Sequence, residues 1–275
     1  SVLLGGGVVL LAYFLGLTIF PDRPLIATGA TAFVAFVPMH IAILSSVNND
    51  ALAELILAVL LFLMTHQLMA APASPARNLF SSDLALGVIL GLGLVTKSTV
   101  YIALPLLAVM LWLAGPGLPG ATSRSWSKLF RQAAIIYGVA LLIALPWYVR
   151  NLALYGGLDI LGLGRHDAVV VGQLRTADFV AQVGGPVAAG EFIITTFRSF
   201  WGQFGWMAVP MDGRTYLFLT LLSLAAAGGL VGLAGAGLWL RPPQRRTLTL
   251  LGLATLLMFL AYGGYNLTFK QFQGR

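Results

Sequence analysis

Long apolar runs, broken only by short polar turns, are what most constrains this chain. Eight stand out, at 1–20, 25–46, 50–70, 83–97, 98–114, 131–149, 215–240 and 247–268. A helix of about 20 mostly apolar residues crosses the hydrocarbon core of a bilayer. Transmembrane barrels are built instead from short strands of alternating polarity, and these runs are too long and continuous for that. Charge agrees with this reading. Only 25 of the 275 residues are charged (16 basic plus 9 acidic), or 9%, against about 25% in an ordinary soluble domain. With 59% hydrophobic residues, a water-soluble globule of this size would leave too much apolar surface wet. Disorder, coiled coil and collagen are excluded by the same numbers. The expected fold is all-α: a polytopic transmembrane helical bundle forming one partial domain over 1–275.

The first residues, SVLLGGGVVL, already lie inside an apolar run and lack a Met. The chain is therefore expected to be a piece of a longer protein. Cysteine is absent, which excludes disulfides and thiolate metal sites. The net charge of +7 reads first as topology rather than nucleic-acid binding, because short cytoplasmic loops collect Lys and Arg. If 1–20 runs inward, Arg23, Arg77, Arg124, Lys128, Arg131, Arg241, Arg245 and Arg246 fall on four inner connections. This works only if 83–97 and 98–114 cross separately. One long helix broken at Lys97-Ser98 is the alternative, and periodicity leaves it open.

The outer side then receives the VNND turn (47–50), Lys97, the loop 150–214 and the terminal KQFQGR. Within the loop, 189–206 is aromatic-rich and moderately amphipathic. It suits a helix lying in the interface, with Trp201 and Trp206 at headgroup level.

Asn49 and Asp50 stand where a helix cap is expected, since their side-chain oxygens accept orphan N–H groups. Glu54 is one turn further on, on the same face as Asp50. Carboxylates inside a membrane segment are costly and mark functional sites or internal pairs, here with Lys97 as a candidate partner. His40 is placed to face the same cavity, or to serve as a packing residue. Lys97 suits a phosphate as a point charge, or snorkels to the interface. Arg150, Arg165, His166, Arg175, Arg198, Lys270 and Arg275 make the outer side rich in cations, which suits a lipid-linked phosphate or ordinary anionic headgroups. No Walker A, G-x-G-x-x-G or H-E-x-x-H pattern occurs. Asn266-Leu267-Thr268 matches a glycosylation sequon.

Four stretches in order carry a wider likeness: VPMHIAILSSVNNDALAELILAVLLFL (37–63), LGVILGLGLVTKSTVYIALPLL (86–107), ALPWYVRNLALYG (144–156) and SFWGQFGWMAVPM (199–211), with FQGR (272–275) at the end. Together they resemble multi-pass proteins of the GT-C glycosyltransferase superfamily. The likeness is to bacterial members near the protein mannosyltransferase and lipid A aminoarabinose transferase group, including a subgroup of bacterial membrane proteins. It implies a GT-C-like bundle in the bacterial plasma (inner) membrane with its active face on the external, periplasmic side. It also implies transfer of a sugar from a polyprenyl-phosphate donor to a protein, lipid or glycan acceptor that the resemblance leaves unspecified. The main catalytic Asp of such enzymes sits in the first external loop, upstream of residue 1. Asp50 matches a recurrent acidic position, and Lys97 and Arg150 match recurrent basic ones. The expected site therefore has Asp50 and Glu54 as catalytic carboxylates. His40, Asn49, Lys97, Arg150, Arg165, His166 and Arg275 are expected to hold substrate. No cofactor is required; a divalent metal ion is left open. Donor lipid and membrane lipids are the expected partners, and nucleic acid is not. Two other readings are a flippase for lipid-linked sugars and a non-catalytic subunit derived from such an enzyme.

Overall fold

The computed structural model describes residues 1–70, 79–114, 126–170, 172–235 and 240–274. Among these the chain is all-α apart from one two-residue β-ribbon. Five helices are long and apolar enough to cross a membrane: α1 (Val2–Ile19), α4 (Asp50–Met69), α7 (Trp126–Tyr155), α11 (Gly213–Gly235) and α12 (Pro242–Thr268). The protein is a polytopic helical membrane protein.

The run 25–46 does not form one straight helix. It folds as α2 (Pro24–Phe36) and α3 (Pro38–Ser45), bent by 60°. The cause is Pro38, whose ring forces the preceding residue out of the helical region. Val37 accordingly sits at φ −67° and ψ 115°. Pro24 opens α2, where its missing N–H costs nothing.

The Lys97 region folds as α5 (Leu79–Leu94), a 3-10 turn (Ser98–Ile102) and α6 (Ala103–Ala114). Side-chain contacts fix the directions. Asp83 meets Gln132 and Gly91 meets Ala140, so α5 runs parallel to α7. Tyr101 meets Tyr148 and Leu104 meets Tyr137, so α6 runs antiparallel to α7. The two segments are therefore an antiparallel hairpin, not one broken helix. At 1.5 Å per residue α5, with 16 residues, is about 24 Å long and α6, with 12, about 18 Å, both under the thickness of a bilayer core.

The buried centre is shared by five helices: Leu60 and Met64 of α4, Leu90 of α5, Leu107 of α6, Ile136 of α7 and Leu250 of α12 are fully enclosed. Gly87 and Gly91 let α5 lie almost backbone to backbone on α7. A Cβ at Gly91 would stand 3.0 Å from the Ala140 carbonyl oxygen. This is the small-xxx-small packing by which membrane helices approach closely. Asp83, fully buried, accepts a 3.3 Å hydrogen bond from Gln132 at the end of this interface remote from Lys97.

Residues 150–214 are more structured than a loop with one interfacial helix. The first of them complete α7, and α8 (Leu163–Val169), α9 (Thr176–Val183), α10 (Gly185–Gly202) and a hairpin of β1 (Gln203–Phe204) and β2 (Val209–Pro210) follow. The amphipathic segment 189–206 thus ends its helix at Gly202. Trp201 does not face the headgroups but is buried edge-on against Phe33 of α2, with ring centroids 5.7 Å apart. The C-terminal residues join this lobe. Phe272 packs with Phe179, Ala188 and Phe192, and Lys270 N–H donates to the Leu174 carbonyl. Asn266 anchors that turn: its carboxamide oxygen accepts from the Phe272 N–H at 2.7 Å, and its amide donates to the Tyr262 carbonyl. In the folded protein the carboxamide of the sequon's Asn266 is therefore buried and committed to holding this turn.

Asn151, also buried, holds the start of the lobe. Its amide donates to the Ile160 carbonyl at 2.8 Å, and its oxygen accepts from Arg150. Gly156, Gly157 and Gly162 take positive φ in the turn so fastened. Asn151→Ala is expected to remove about 1 kcal/mol locally and to speed chymotrypsin cleavage after Tyr155 and Leu158. An unchanged digestion rate would show that the turn is held by other contacts.

Candidate functional site

The clearest polar constellation lies where α3, α4 and the turn before the 3-10 segment meet. The turn is shaped by its own residues. Gly93 has no side chain because a Cβ there would stand 2.5 Å from Val100 and 3.0 Å from Ile56 of α4. The N–H groups of Thr96 and Lys97 both donate to the Gly93 carbonyl. Lys97 leaves the turn in extended conformation, at φ −161° and ψ 145°. The Asn49 amide then reaches across to the Thr96 carbonyl at 3.3 Å.

The cap of α4 falls one or two residues earlier than expected. Neither Asn49 nor Asp50 makes a side-chain cap hydrogen bond. Asn48 does: its carboxamide oxygen accepts from the N–H of Asp50 at 2.9 Å and of Ala51 at 3.3 Å. An Asx residue two positions before a helix start is the signal that identifies it. With capping done by Asn48, the Asp50 carboxylate is released for another task. It forms an ion pair with Lys97, beside the positive end of the α4 dipole. Both side chains remain about one-third exposed, 34% for Asp50 and 29% for Lys97.

One turn into α4, Glu54 pairs with His40 of α3, Oε1 to Nε2 at 2.7 Å. Lys97 was a candidate partner for Glu54, but the structure gives Lys97 to Asp50 and His40 to Glu54. The site is therefore two stacked acid–base pairs on one face of α4. His40 also borders an apolar groove of about 170 Å³ between α1 and α3, lined by Val2, Gly5, Val9, Ile41 and Leu44.

The remaining expected substrate ligands have their contacts elsewhere. The Arg150 guanidinium donates to Asn151 and lies 4.9 Å from the centre of the Trp147 ring. It belongs to the same end of the molecule, because the adjacent Tyr148 hydroxyl is hydrogen-bonded to Tyr101 at 2.8 Å. That bond ties the end of α7 to the turn that follows Lys97, and nothing in the spacing of the two tyrosines foretold it.

Arg165 and His166 belong to α8. The Arg165 N–H donates to Asp159 at 2.8 Å, and this bond, helped by the N–H groups of Gly162 to Gly164, holds the Asp159 carboxyl below its ordinary range. The His166 ring meets Phe269 edge-on at 6.0 Å. Arg275 lies outside the described residues. The cations expected on the outer side are also less available than their number implies. Arg175 is paired with Asp167 at 2.6 Å and Lys270 with Glu191 at 2.7 Å. Among the described residues no group of three or more His, Asp or Glu side chains is arranged to hold a metal ion.

Comparison with protein-family models, with curated proteins and with solved structures returned no match.

Proposed function

We propose that this chain is the core of a membrane glycosyltransferase that moves a sugar from a polyprenyl-phosphate donor to an acceptor hydroxyl at the external face of the bacterial plasma membrane. The observation that carries this reading is the Asp50–Lys97 pair, about one-third exposed at a helix start, with His40–Glu54 one turn below. Transfer needs a base for the acceptor proton and a cation for the departing phosphate, and the pair supplies one of each.

The two roles are linked. A donor phosphate competes with Asp50 for the Lys97 ammonium. As Lys97 turns to the phosphate, the carboxylate is freed beside the acceptor. The anomeric carbon–oxygen bond to phosphate then breaks as the acceptor oxygen bonds to that carbon. The acceptor proton passes to Asp50, and polyprenyl phosphate leaves with its charge held by Lys97. The apolar groove beside His40 offers the lipid chain a place to lie.

The bend between α2 and α3 beside His40–Glu54 favours a second reading, since broken helices next to intramembrane carboxylates also occur in transporters. Full-length protein in liposomes separates the two. The expected result is covalent movement of labelled sugar from polyprenyl phosphate to an added acceptor. Movement of intact donor between leaflets without transfer would replace the enzyme reading with the transporter one.

A further inference from the structure

The β1–β2 hairpin between α10 and α11 has features that neither the core nor the acid–base pairs explain. Its tip, Gly205 to Ala208, carries Trp206 at 82% exposure. Trp206 and Met207 both adopt left-handed backbone conformations, with φ +54° and +71°. Such conformations are unfavourable for side chains of this size and persist only where surrounding contacts enforce them. Those contacts are present. The Gln203 amide donates to the Met207 carbonyl at 2.8 Å, and the two short strands pair Gln203 with Pro210 and Phe204 with Val209. The fold therefore maintains a strained turn that presents a large aromatic ring outward.

Two independent sets of contacts fix the level of this turn. The first is Tyr216, in the first turn of the spanning helix α11. Its hydroxyl donates to the Gly202 carbonyl at 2.6 Å and accepts from the Met211 N–H at 3.0 Å. One side chain thus clamps both ends of the hairpin to the point where α11 begins. The second is the α2–α3 bend. Trp201, two residues before β1, packs on Phe33 of α2, and β1 itself lies against α3. The hairpin is thus held between the start of α11 and the bent α2–α3 pair.

Its surroundings match the edge of a bilayer. Val209, beside the tip, is exposed. Arg198, its guanidinium 5.2 Å from the Tyr216 ring centre, and Arg214 of α11 are exposed beside the hairpin base. Trp is enriched at the level where acyl chains meet headgroups, and cations there complement anionic lipid. From these placements we infer that the Gly205–Ala208 tip is a lipid anchor. It dips Trp206 into the outer edge of the bilayer and pins the α8–α10 lobe over the membrane. The inference requires a membrane protein but is independent of the sugar-transfer reading.

The cysteine-free sequence makes the test direct. Trp206→Cys, Val47→Cys in the polar turn before α4 and Leu221→Cys within α11 would each be spin-labelled in the full chain. The labelled proteins would be placed in vesicles of phosphatidylcholine and phosphatidylglycerol. Collision with dissolved oxygen, relative to collision with a water-soluble nickel chelate, is expected to be severalfold higher at 206 than at 47 and to approach the value at 221. Independently, Trp206→Phe is expected to remove much of the tryptophan quenching caused by lipids brominated near the headgroup. A ratio at 206 equal to that at 47, or quenching unchanged by Trp206→Phe, would overturn the anchor.

Discussion

Gly91→Leu is expected to lower the thermal midpoint of unfolding in detergent more than any other single change considered for this chain. The cause is the closeness of α5 and α7. A Cβ at Gly91 would stand 2.8 Å from the Ile143 Cβ and 3.0 Å from the Ala140 carbonyl oxygen. Backbone atoms cannot swing aside as a side-chain tip can, so the helices must separate along their length. Forcing extra methylenes into a packed interior costs about 1–3 kcal/mol and sometimes more, and a leucine against backbone belongs at the top of that range. Gly87 faces the same helix, with a Cβ 2.8 Å from the Ile136 carbonyl oxygen, so Gly87→Leu is expected to behave alike. Gly138 is the internal control. It lies on α7 with nothing within 4 Å of its Cβ. Gly138→Ala removes a helix-interior glycine, so stability should hold or rise by up to about 1 kcal/mol. A Gly91→Leu protein as stable as the Gly138→Ala protein would show that α5 and α7 do not pack this way.

The second large effect concerns transfer rather than folding. If Asp50 takes the acceptor proton, Asp50→Asn is expected to reduce sugar transfer by about 10²- to 10⁴-fold, the usual range for a lost general base. Lys97→Ala is expected to reduce it by about 10²- to 10³-fold, as for loss of a group that stabilises developing negative charge. Lys97→Arg should recover part of that loss, because the charge is retained while its shape changes. The double variant should be little worse than Asp50→Asn alone, since residues acting as one unit are not additive. Stability should barely move. Both side chains are about one-third exposed, and exposed ion pairs contribute about 0–1 kcal/mol. Full transfer activity in both single variants would remove the pair from the mechanism. A fall in transfer that merely tracks a fall in thermal midpoint would assign the pair a structural role.

Much of the architecture can be read along the chain because it depends on local chemistry. Apolar length and charge scarcity identify the membrane helices. The NND turn with Lys97 marks polar points between helices, whereas apolar length presents 25–46 as one run and the bend at Pro38 appears only in the fold. The Gly87-xxx-Gly91 spacing is also local, although it gains meaning only once α7 is known to lie against it. The 150–214 segment is the least legible. Its short helices are stabilised by the C-terminal Phe269–Phe272 stretch and by Asn266, and these contacts join residues about 90 positions apart.

The same division holds within the candidate site. The sequence alone determines that Asp50 and Glu54 share a face of α4, because the helical repeat of 3.6 residues requires it. It also determines that His40, Asn49 and Lys97 lie near helix ends. Which acid meets which base was decided by tertiary structure. Glu54 reaches His40 because the Pro38 bend brings α3 across α4. Asp50 reaches Lys97 because Asn48 takes over the cap and Gly93 lets the α5 turn settle on α4. Helical periodicity acts over a few residues, whereas ion pairing depends on how separate helices cross, and that is set by close packing at glycines and by the direction in which each helix turns back.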